Sequence, residues 1–176
     1  MTVVARRPVP ITSDPPRGAV PACTLVLAAD PETTAAWVAA AFAALRWKRR
    51  ASDVARREGA ALWEVGGAAR AFLLDDLDVL RWVTPRATAW FSHGRAIATV
   101  QPDGTAPGRT VVVLSLVDGW LSCRESFGAV ARRLREHAVR GGALDPGDVP
   151  VWTSAHDLPP GSPGDPRSRT RLFRGS

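Results

Sequence analysis

A nearly unbroken run of β-branched and aliphatic residues, Thr110–Val117, predicts a strand inside a sheet rather than at its rim. After the turn residues Asp118–Gly119, apolar residues recur at helical spacing: Phe127, Val130, Ala131, Leu134 and Ala138. Ser122 is the predicted N-cap of this helix, because Glu125 stands where a capping box needs it. Gly141–Gly142 is its predicted stop. The pattern therefore predicts a central strand whose following helix covers one of its two faces.

A strand and a helix are also predicted near the start of the chain. Alternating residues over Cys23–Leu27 predict the strand. Asp30 is a predicted N-cap with Pro31 at the first helical position, so the helix begins there and continues through Leu45. Four cations crowd its expected C-terminal end: Arg46, Lys48, Arg49 and Arg50. These cations either complement the helix dipole or form a phosphate-binding patch. Residues 52–58 predict one or two further helical turns.

Between these two units the sequence has no helical period. Gly66–Gly67 reads as a hairpin turn, and short apolar runs on either side of it read as strands. These runs are at 62–65, 70–74, 79–83, 87–91 and 96–100. The predicted fold class is α+β, with an antiparallel β-meander of about six strands packed against a long C-terminal helix and one N-terminal helix.

Proline and glycine divide the chain into three predicted segments. Residues 1–21 contain five prolines and are expected to be a disordered leader rich in proline and arginine. Residues 22–142 are expected to form a single α+β domain. Residues 143–176 are again rich in proline and glycine and are expected to be a mostly disordered tail, in which Val151–Trp152 offers the one anchor.

The formal net charge is +6, and the excess of arginine is spread along the chain. This charge is a modest argument for an anionic partner and no more. No apolar run approaches the roughly 20 residues of a membrane-spanning helix. Pro8 and Pro10 interrupt the region where a signal peptide would be apolar. We therefore expect a cytoplasmic protein in which Cys23 and Cys123 are buried thiols.

The sequence carries no motif that specifies catalysis, a cofactor or a metal site. Its histidines lack the spacing of zinc ligands, and the acidic run at 75–78 lacks the pattern of a calcium loop and reads as a solvated turn. His93 leaves one alternative open, a general base formed with Asp118 or Glu64, because strands bring distant residues together. Which residues are catalytic, if any, stays unknown from the sequence.

Seven tryptophans and no tyrosine are the most distinctive feature of the composition. One interpretation is a Trp-rich core, because indoles bury large areas. The other is an aromatic-lined pocket between the sheet and the helices, in which charged residues orient a ligand. The candidate ligand-binding residues of such a pocket are Trp37, Trp63, Glu64, Arg81, Trp82 and Trp90.

The order of the predicted elements over residues 22–142 is strand, helix, short helix, strand meander and long C-terminal helix. This order resembles the helix-grip fold of the START-like and polyketide-cyclase superfamily. The resemblance implies a curved sheet that grips the helix from Ser122 to Arg140, with a ligand cavity between them. It implies no catalytic residue fixed by a motif.

The leading functional prediction is a small domain that binds an apolar or aromatic small molecule in a Trp-lined cavity, with or without cyclase-type chemistry and without a cofactor. The alternative is a non-enzymatic interaction module that uses Arg-rich helix faces and tails to bind a protein or nucleic-acid partner. Rising salt should weaken binding through arginines steeply and binding in a cavity hardly at all. The identity of the ligand or partner and the oligomeric state stay unknown.

Overall fold

One antiparallel sheet forms the centre of the fold in a computed structural model that describes residues 8–16, 20–66, 93–119, 121–168 and 172–173. The described strands are β1 Val9–Pro10, β2 Pro21–Leu27, β3 Lys48–Arg50, β4 Ala60–Val65, β5 Gly94–Pro102, β6 Thr110–Gly119 and β7 Val151–Ser154. The described α-helices are α1 Pro31–Ala44, α2 Asp53–Arg57 and α3 Leu121–Arg140. The fold class is therefore α+β, as predicted.

The strands follow the order β1-β7-β2-β6-β5-β4-β3, and every described pairing is antiparallel. β6 lies at the centre, between β2 and β5, which confirms the prediction for Thr110–Val117. The predicted meander of about six strands needs correction, because seven strands are described and β7 lies between β1 and β2. The strands predicted at 70–74, 79–83 and 87–91 lie outside the described residues.

The helices α1 and α3 pack on the same face of the sheet, which we call the helix face. All five apolar residues of the predicted stripe on α3 are fully buried. The helix begins at Leu121, so Ser122 lies in its first turn and is not the N-cap that the sequence suggested. It ends at Arg140, and Gly142 adopts a φ of +69°, which confirms the predicted glycine stop.

A continuous row of aromatic rings fills the space between the sheet and the helices. Phe42 of α1 stacks on Trp63 of β4 with ring centroids 4.6 Å apart. The rings of Trp47, Phe127 and Trp152 continue the row, with successive centroids 5.6–6.5 Å apart from Phe42 onward. Such contacts add to the hydrophobic stabilisation that burial of each ring provides. The described aromatic side chains thus form a large part of the core.

The first helix begins where the sequence predicted and ends earlier. Asp30 caps α1, because its carboxylate accepts from the backbone N of Thr33 at 2.8 Å and from the Thr33 hydroxyl at 2.6 Å. These hydrogen bonds hold the pKa of Asp30 below its usual value. α1 ends at Ala44, however, and three of the four cations predicted at its C-terminal end form the separate strand β3, whereas Arg46 lies in the turn before it.

The opposite face of the sheet, which we call the outer face, is covered by residues that follow β7. Leu172 is fully buried there, in a cluster with Ala55, Ala60, Leu62, Ile97 and Val117. Farther along the face, Gly164 lies so close to β6 that a Cβ atom built on it would be 3.5 Å from Cγ1 of Val113. Asp165 is fully buried beside it and accepts from the backbone N of Arg167 at 3.0 Å.

Residues from all three predicted segments contribute to the sheet. β1 comes from the predicted leader, and β7 comes from the predicted tail, so neither segment is disordered at these strands. Trp152 supplies the physical reason, because its ring packs on Phe127 and its Nε1 donates to the carbonyl oxygen of Ser13 at 3.0 Å. Prolines fit in β1 because this strand is at the described edge of the sheet.

Both cysteines are buried and neither forms a disulfide, as the sequence predicted. Cys23 lies in β2, and burial raises the pKa of its thiol to about 12. At neutral pH the thiol is therefore protonated and unreactive. Cys123 is buried at the start of α3, where Gly94 and Gly119 allow the helix to approach the sheet closely.

We expect Phe42→Ala to lower the free energy of unfolding by about 3–5 kcal/mol, because the change removes a fully buried ring that contacts two tryptophans. Val26→Ala is the matched control, since Val26 is 43% exposed, and we expect it to cost less than about 1 kcal/mol. Urea denaturation of both variants measures the difference. Equal losses would contradict the described core.

We expect the stabilisation by Asp165 to depend on pH. Its hydrogen bonds, first with the Arg167 side chain and then with backbone N–H groups, hold the pKa of Asp165 below its usual value. The carboxylate therefore stabilises the fold above its unfolded-state pKa, and this stabilisation is lost as pH falls through the lower folded-state pKa. The difference in unfolding free energy between wild type and Asp165→Asn should shrink on acidification. A constant difference from neutral to acidic pH would contradict this account.

Candidate functional site

Positive charge is concentrated at the β3 edge of the described sheet. Residues 46–58 contain six cations and two acids, so this short range carries a net charge of +4 out of the chain's formal +6. All six cations are exposed: Arg46, Lys48, Arg49, Arg50, Arg56 and Arg57. We call these six residues the basic surface.

A tight turn and a buried tryptophan position the basic surface. Arg46 adopts a φ of +63°, a left-handed conformation that reverses the chain directly after α1. Trp47 is 2% exposed, and its Nε1 donates to Ser126 Oγ of α3 at 2.9 Å. β3 then pairs with β4 alone among the described strands, so its three cations lie at an edge. Ser52 caps α2, the short helix that carries Arg56 and Arg57.

Four of these cations were predicted to lie at the end of α1. The helical turns predicted at 52–58 correspond to α2, which begins at Asp53 with Ser52 as its N-cap. The strand itself had no signal, because three consecutive cations carry no hydrophobic alternation. The prediction did not group Arg56 and Arg57 with the cations of β3, because they belong to a different element, α2.

A single carboxylate, that of Glu64, meets three cationic or basic groups beside the basic surface. The Nε atom of Arg50 lies 3.3 Å from Oε2. The Nε atom of Arg95 donates to Oε1 at 3.2 Å, and His93 Nε2 lies 3.6 Å from the same oxygen. The Glu64 side chain is 16% exposed, so these interactions are only partly screened by water. The two oxygens of Glu64 thus hold Arg50 and Arg95 beside each other.

The structure brings together His93 and Glu64, which the sequence left open as a general base. The separation of 3.6 Å between Nε2 and Oε1 exceeds that of a good hydrogen bond. The other ring nitrogen, Nδ1, is buried and has no hydrogen-bond partner. Asp118, the other proposed partner, is in register with Arg95. The structure therefore brings His93 and Glu64 together without the close hydrogen bond that orients a general base.

Three of the five arginines of α3 bind flanking segments of the chain, and Arg133 and Arg140 are exposed. Arg124 Nη2 donates to a carbonyl oxygen of segment 14–16 at 3.0 Å, and Arg132 Nη1 lies 3.0 Å from a carboxylate oxygen of the same segment. Arg135 donates to two carbonyl oxygens of segment 146–148. Part of the Arg-rich helix face that the sequence suggested for partner binding thus fastens flanking segments to the domain.

The predicted ligand-binding residues that the structure describes do not share one pocket. Trp63 points to the helix face and is 5% exposed, whereas Glu64, the next residue of the same strand, points to the outer face. Trp37 is half-buried on α1, where the lack of a side chain on Gly141 makes room for its ring. The remaining candidates lie outside the described residues: Arg81, Trp82 and Trp90.

A separate open cleft of about 510 Å³ lies where the end of β2 meets the end of α3. Its walls include Val26, Val139 and three charged residues: Arg109, Asp145 and Asp148. No predicted ligand-binding residue lines this cleft. Charges of both signs and an open shape give it no clear preference for one class of ligand.

The described ranges contain no group of three or more His, Cys, Asp and Glu side chains placed to hold a metal ion. Among the described helices, none combines the length and the apolar character that crossing a membrane requires. No protein-family model, curated protein or solved structure matches the chain. The α+β fold, with an antiparallel sheet and helices, is compatible with a helix-grip fold.

We expect Glu64→Gln to lower the free energy of unfolding by about 1.5–3 kcal/mol, because it removes the carboxylate that the arginines of the cluster share. Asp53→Asn is the control, since Asp53 and Arg56 form a pair in which both side chains are 79% exposed. Pairs of this kind contribute about 0–1 kcal/mol. Urea denaturation at neutral pH should separate the two variants, and indistinguishable curves would show that the Glu64 cluster does not contribute as described.

Proposed function

We propose that the chain is a non-enzymatic module that binds the phosphate backbone of nucleic acid through the basic surface. The observation that carries the proposal is the concentration of six exposed cations within residues 46–58, three of them consecutive on β3. A basic patch on one edge of a domain is the electrostatic footprint of phosphate binding. The Glu64 cluster lies beside this patch, because Arg50 belongs to both.

The composition of the basic surface favours phosphate over a protein partner. Five of the six cations are arginines, whose planar guanidinium groups bind phosphate oxygens in pairs. The core of a protein–protein interface is instead depleted of charge and enriched in aromatic side chains. Within residues 46–58, the one large apolar residue that is exposed is Val54, at 36%. Protein–DNA interfaces are more polar and more positive, as this surface is.

The same residues favour contact with phosphates over contact with bases. Binding of single strands uses exposed aromatic rings on which bases stack. The aromatic residues nearest in the chain belong to the core: Phe42 is fully buried, and Trp47 and Trp63 are 2% and 5% exposed. We therefore expect binding to duplexes with little dependence on base sequence.

Protection of the sheet edge explains only part of this charge. Charged residues on a short edge strand prevent pairing with other chains. That role requires cations on β3 alone, whereas the basic surface extends to Arg46 before the strand and to Arg56 and Arg57 on α2. This wider distribution supports an anionic partner.

We expect the affinity for a short labelled DNA duplex to fall steeply between about 50 and 200 mM salt. Lys48→Gln combined with Arg49→Gln should reduce the slope of log K against log salt by about 2, because each lost phosphate contact removes about one unit. Fluorescence anisotropy at several salt concentrations measures the slope. Arg109→Gln combined with Arg133→Gln is the matched control, since both residues are exposed, lie outside the basic surface and remove the same charge.

An equal change of slope in the control would show that net charge, and not the basic surface, determines binding. Absence of DNA binding at low salt would refute the proposal. Tighter binding of an acidic peptide than of the duplex, lost in Lys48→Gln with Arg49→Gln, would assign the surface to a protein partner instead.

The small-molecule cavity predicted from the helix-grip resemblance is a second proposal, supported by one observation. The Trp63 indole Nε1 is buried between the sheet and the helices and has no hydrogen-bond partner. Leaving such a donor unpaired costs about 1–3 kcal/mol, so a ligand with an acceptor atom would find a favourable position there. This proposal requires an aromatic or apolar ligand that carries an oxygen or nitrogen acceptor.

For this second proposal we expect some members of a panel of neutral aromatic ketones and phenols to raise the melting temperature of the protein. Binding to the folded state alone stabilises it by about 2.7 kcal/mol at 100 times Kd. Trp63→Phe removes the indole donor while it keeps a ring, and it should abolish the selectivity for compounds with an acceptor. The proposal fails when the panel produces no shift, or when Trp63→Phe responds to the same compounds as wild type.

A further inference from the structure

An apolar pocket on the outer face of the sheet is filled by a dipeptide, Leu172–Phe173. Leu172 is fully buried, and Phe173 packs at the edge of the same cluster. The walls of the pocket come from α2 and from three neighbouring strands: Ala55, Ala60, Leu62, Ile97 and Val117. We call it the outer-face pocket. The backbone of these walls is held by interactions that do not involve the dipeptide: β4, β5 and β6 pair with one another, and Ser52 caps α2.

Two polar side chains of the domain recognise the dipeptide at the rim of the outer-face pocket. Ser52 Oγ donates to the carbonyl oxygen of Leu172 at 3.0 Å. The guanidinium carbon of Arg95 lies 5.2 Å from the centre of the Phe173 ring, a cation–π distance. Together with the apolar walls, these groups recognise a leucine side chain, a backbone carbonyl and an aromatic ring. All three features belong to a peptide.

We propose that the outer-face pocket is a binding site for a peptide with leucine followed by an aromatic residue, bound in the helical conformation of Leu172–Phe173, and that Leu172–Phe173 occupies it as an intramolecular competitor. This inference does not depend on nucleic-acid binding. Pockets for single side chains, combined with hydrogen bonds to the peptide backbone, are a recurring mode of peptide recognition.

The part of the chain that precedes the dipeptide on the outer face has hydrogen bonds of its own. Within residues 158–168, Asp165 accepts from the backbone N of Gly161 at 3.1 Å, and Ser168 Oγ donates to the carbonyl oxygen of Ser162 at 2.8 Å. The contacts of Leu172–Phe173 with the domain include the hydrogen bond from Ser52 and the cation–π contact with Arg95. A peptide from another chain that offers the same carbonyl oxygen and aromatic ring would compete for both.

Intramolecular docking gives the dipeptide an advantage over a free peptide. A segment tethered by a short linker acts at an effective concentration on the order of millimolar. A free peptide of the same sequence should therefore bind poorly to wild type. It should bind much better to a chain whose own dipeptide is weakened.

The test uses the full chain with Leu172→Ala and Phe173→Ala, and a fluorescein-labelled peptide with the sequence of residues 169–176. Fluorescence anisotropy should show that the double variant binds the peptide at least about tenfold more tightly than wild type does, because the intramolecular competitor is lost. A control peptide with the same two alanine substitutions keeps all three arginines and should not bind. Adding Ser52→Ala to the double variant should weaken binding of the labelled peptide several-fold.

Three results would overturn the proposal: equal affinity of wild type and the double variant, equal binding of the two peptides, or no effect of Ser52→Ala. Thermal unfolding covers the case in which the double variant is poorly folded. The wild-type peptide should then restore a cooperative transition or raise the melting temperature, whereas the control peptide should not. No rescue by the wild-type peptide would equally overturn the proposal.

Discussion

The central strand β6 is apolar on both faces, and the rest of the fold depends on covering both. Val112, Leu114 and Leu116 point to the helix face, while Val113 and Val117 point to the outer face. The helices α1 and α3 cover the first face, and the residues after β7 cover the second. Each large apolar side chain removed from water contributes about 1.5–3 kcal/mol, so neither cover is dispensable.

This two-sided burial confines the charged groups of the sheet to its ends and edges. Glu64, His93 and Arg95 lie where β4 ends and β5 begins, and β3 carries its cations at the edge beside them. The outer cover ends in the same neighbourhood, because Leu172 contacts the Ser52 hydroxyl between β3 and α2. Both proposed binding sites therefore adjoin each other, and one recognises phosphate by charge while the other recognises a peptide by shape.

Much of the framework was predictable because its signals are local. Asp30–Pro31 marks the start of α1, and the apolar stripe of α3 identifies the face that it buries. The second cover of β6 was not predictable, because β7 and Leu172 gain their stability only from contacts with residues far away in the chain. Trp152 carried a hint, which the prolines around it outweighed. The predicted pocket contained both Trp63 and Glu64, but the structure places them on opposite faces of the sheet. The reason is that neighbouring residues of a strand point to opposite faces.

Thiol labelling tests directly whether the residues after β7 cover the outer face. In Leu172→Cys the new thiol should lie in the apolar cluster and react with a maleimide at least about tenfold more slowly than the thiol of Val26→Cys, which is exposed on the same sheet. The native cysteines give little background, because both are buried. Slow labelling that becomes fast in urea is the predicted result. Equally fast labelling at positions 172 and 26 in the native protein would contradict the described cover and the outer-face pocket with it.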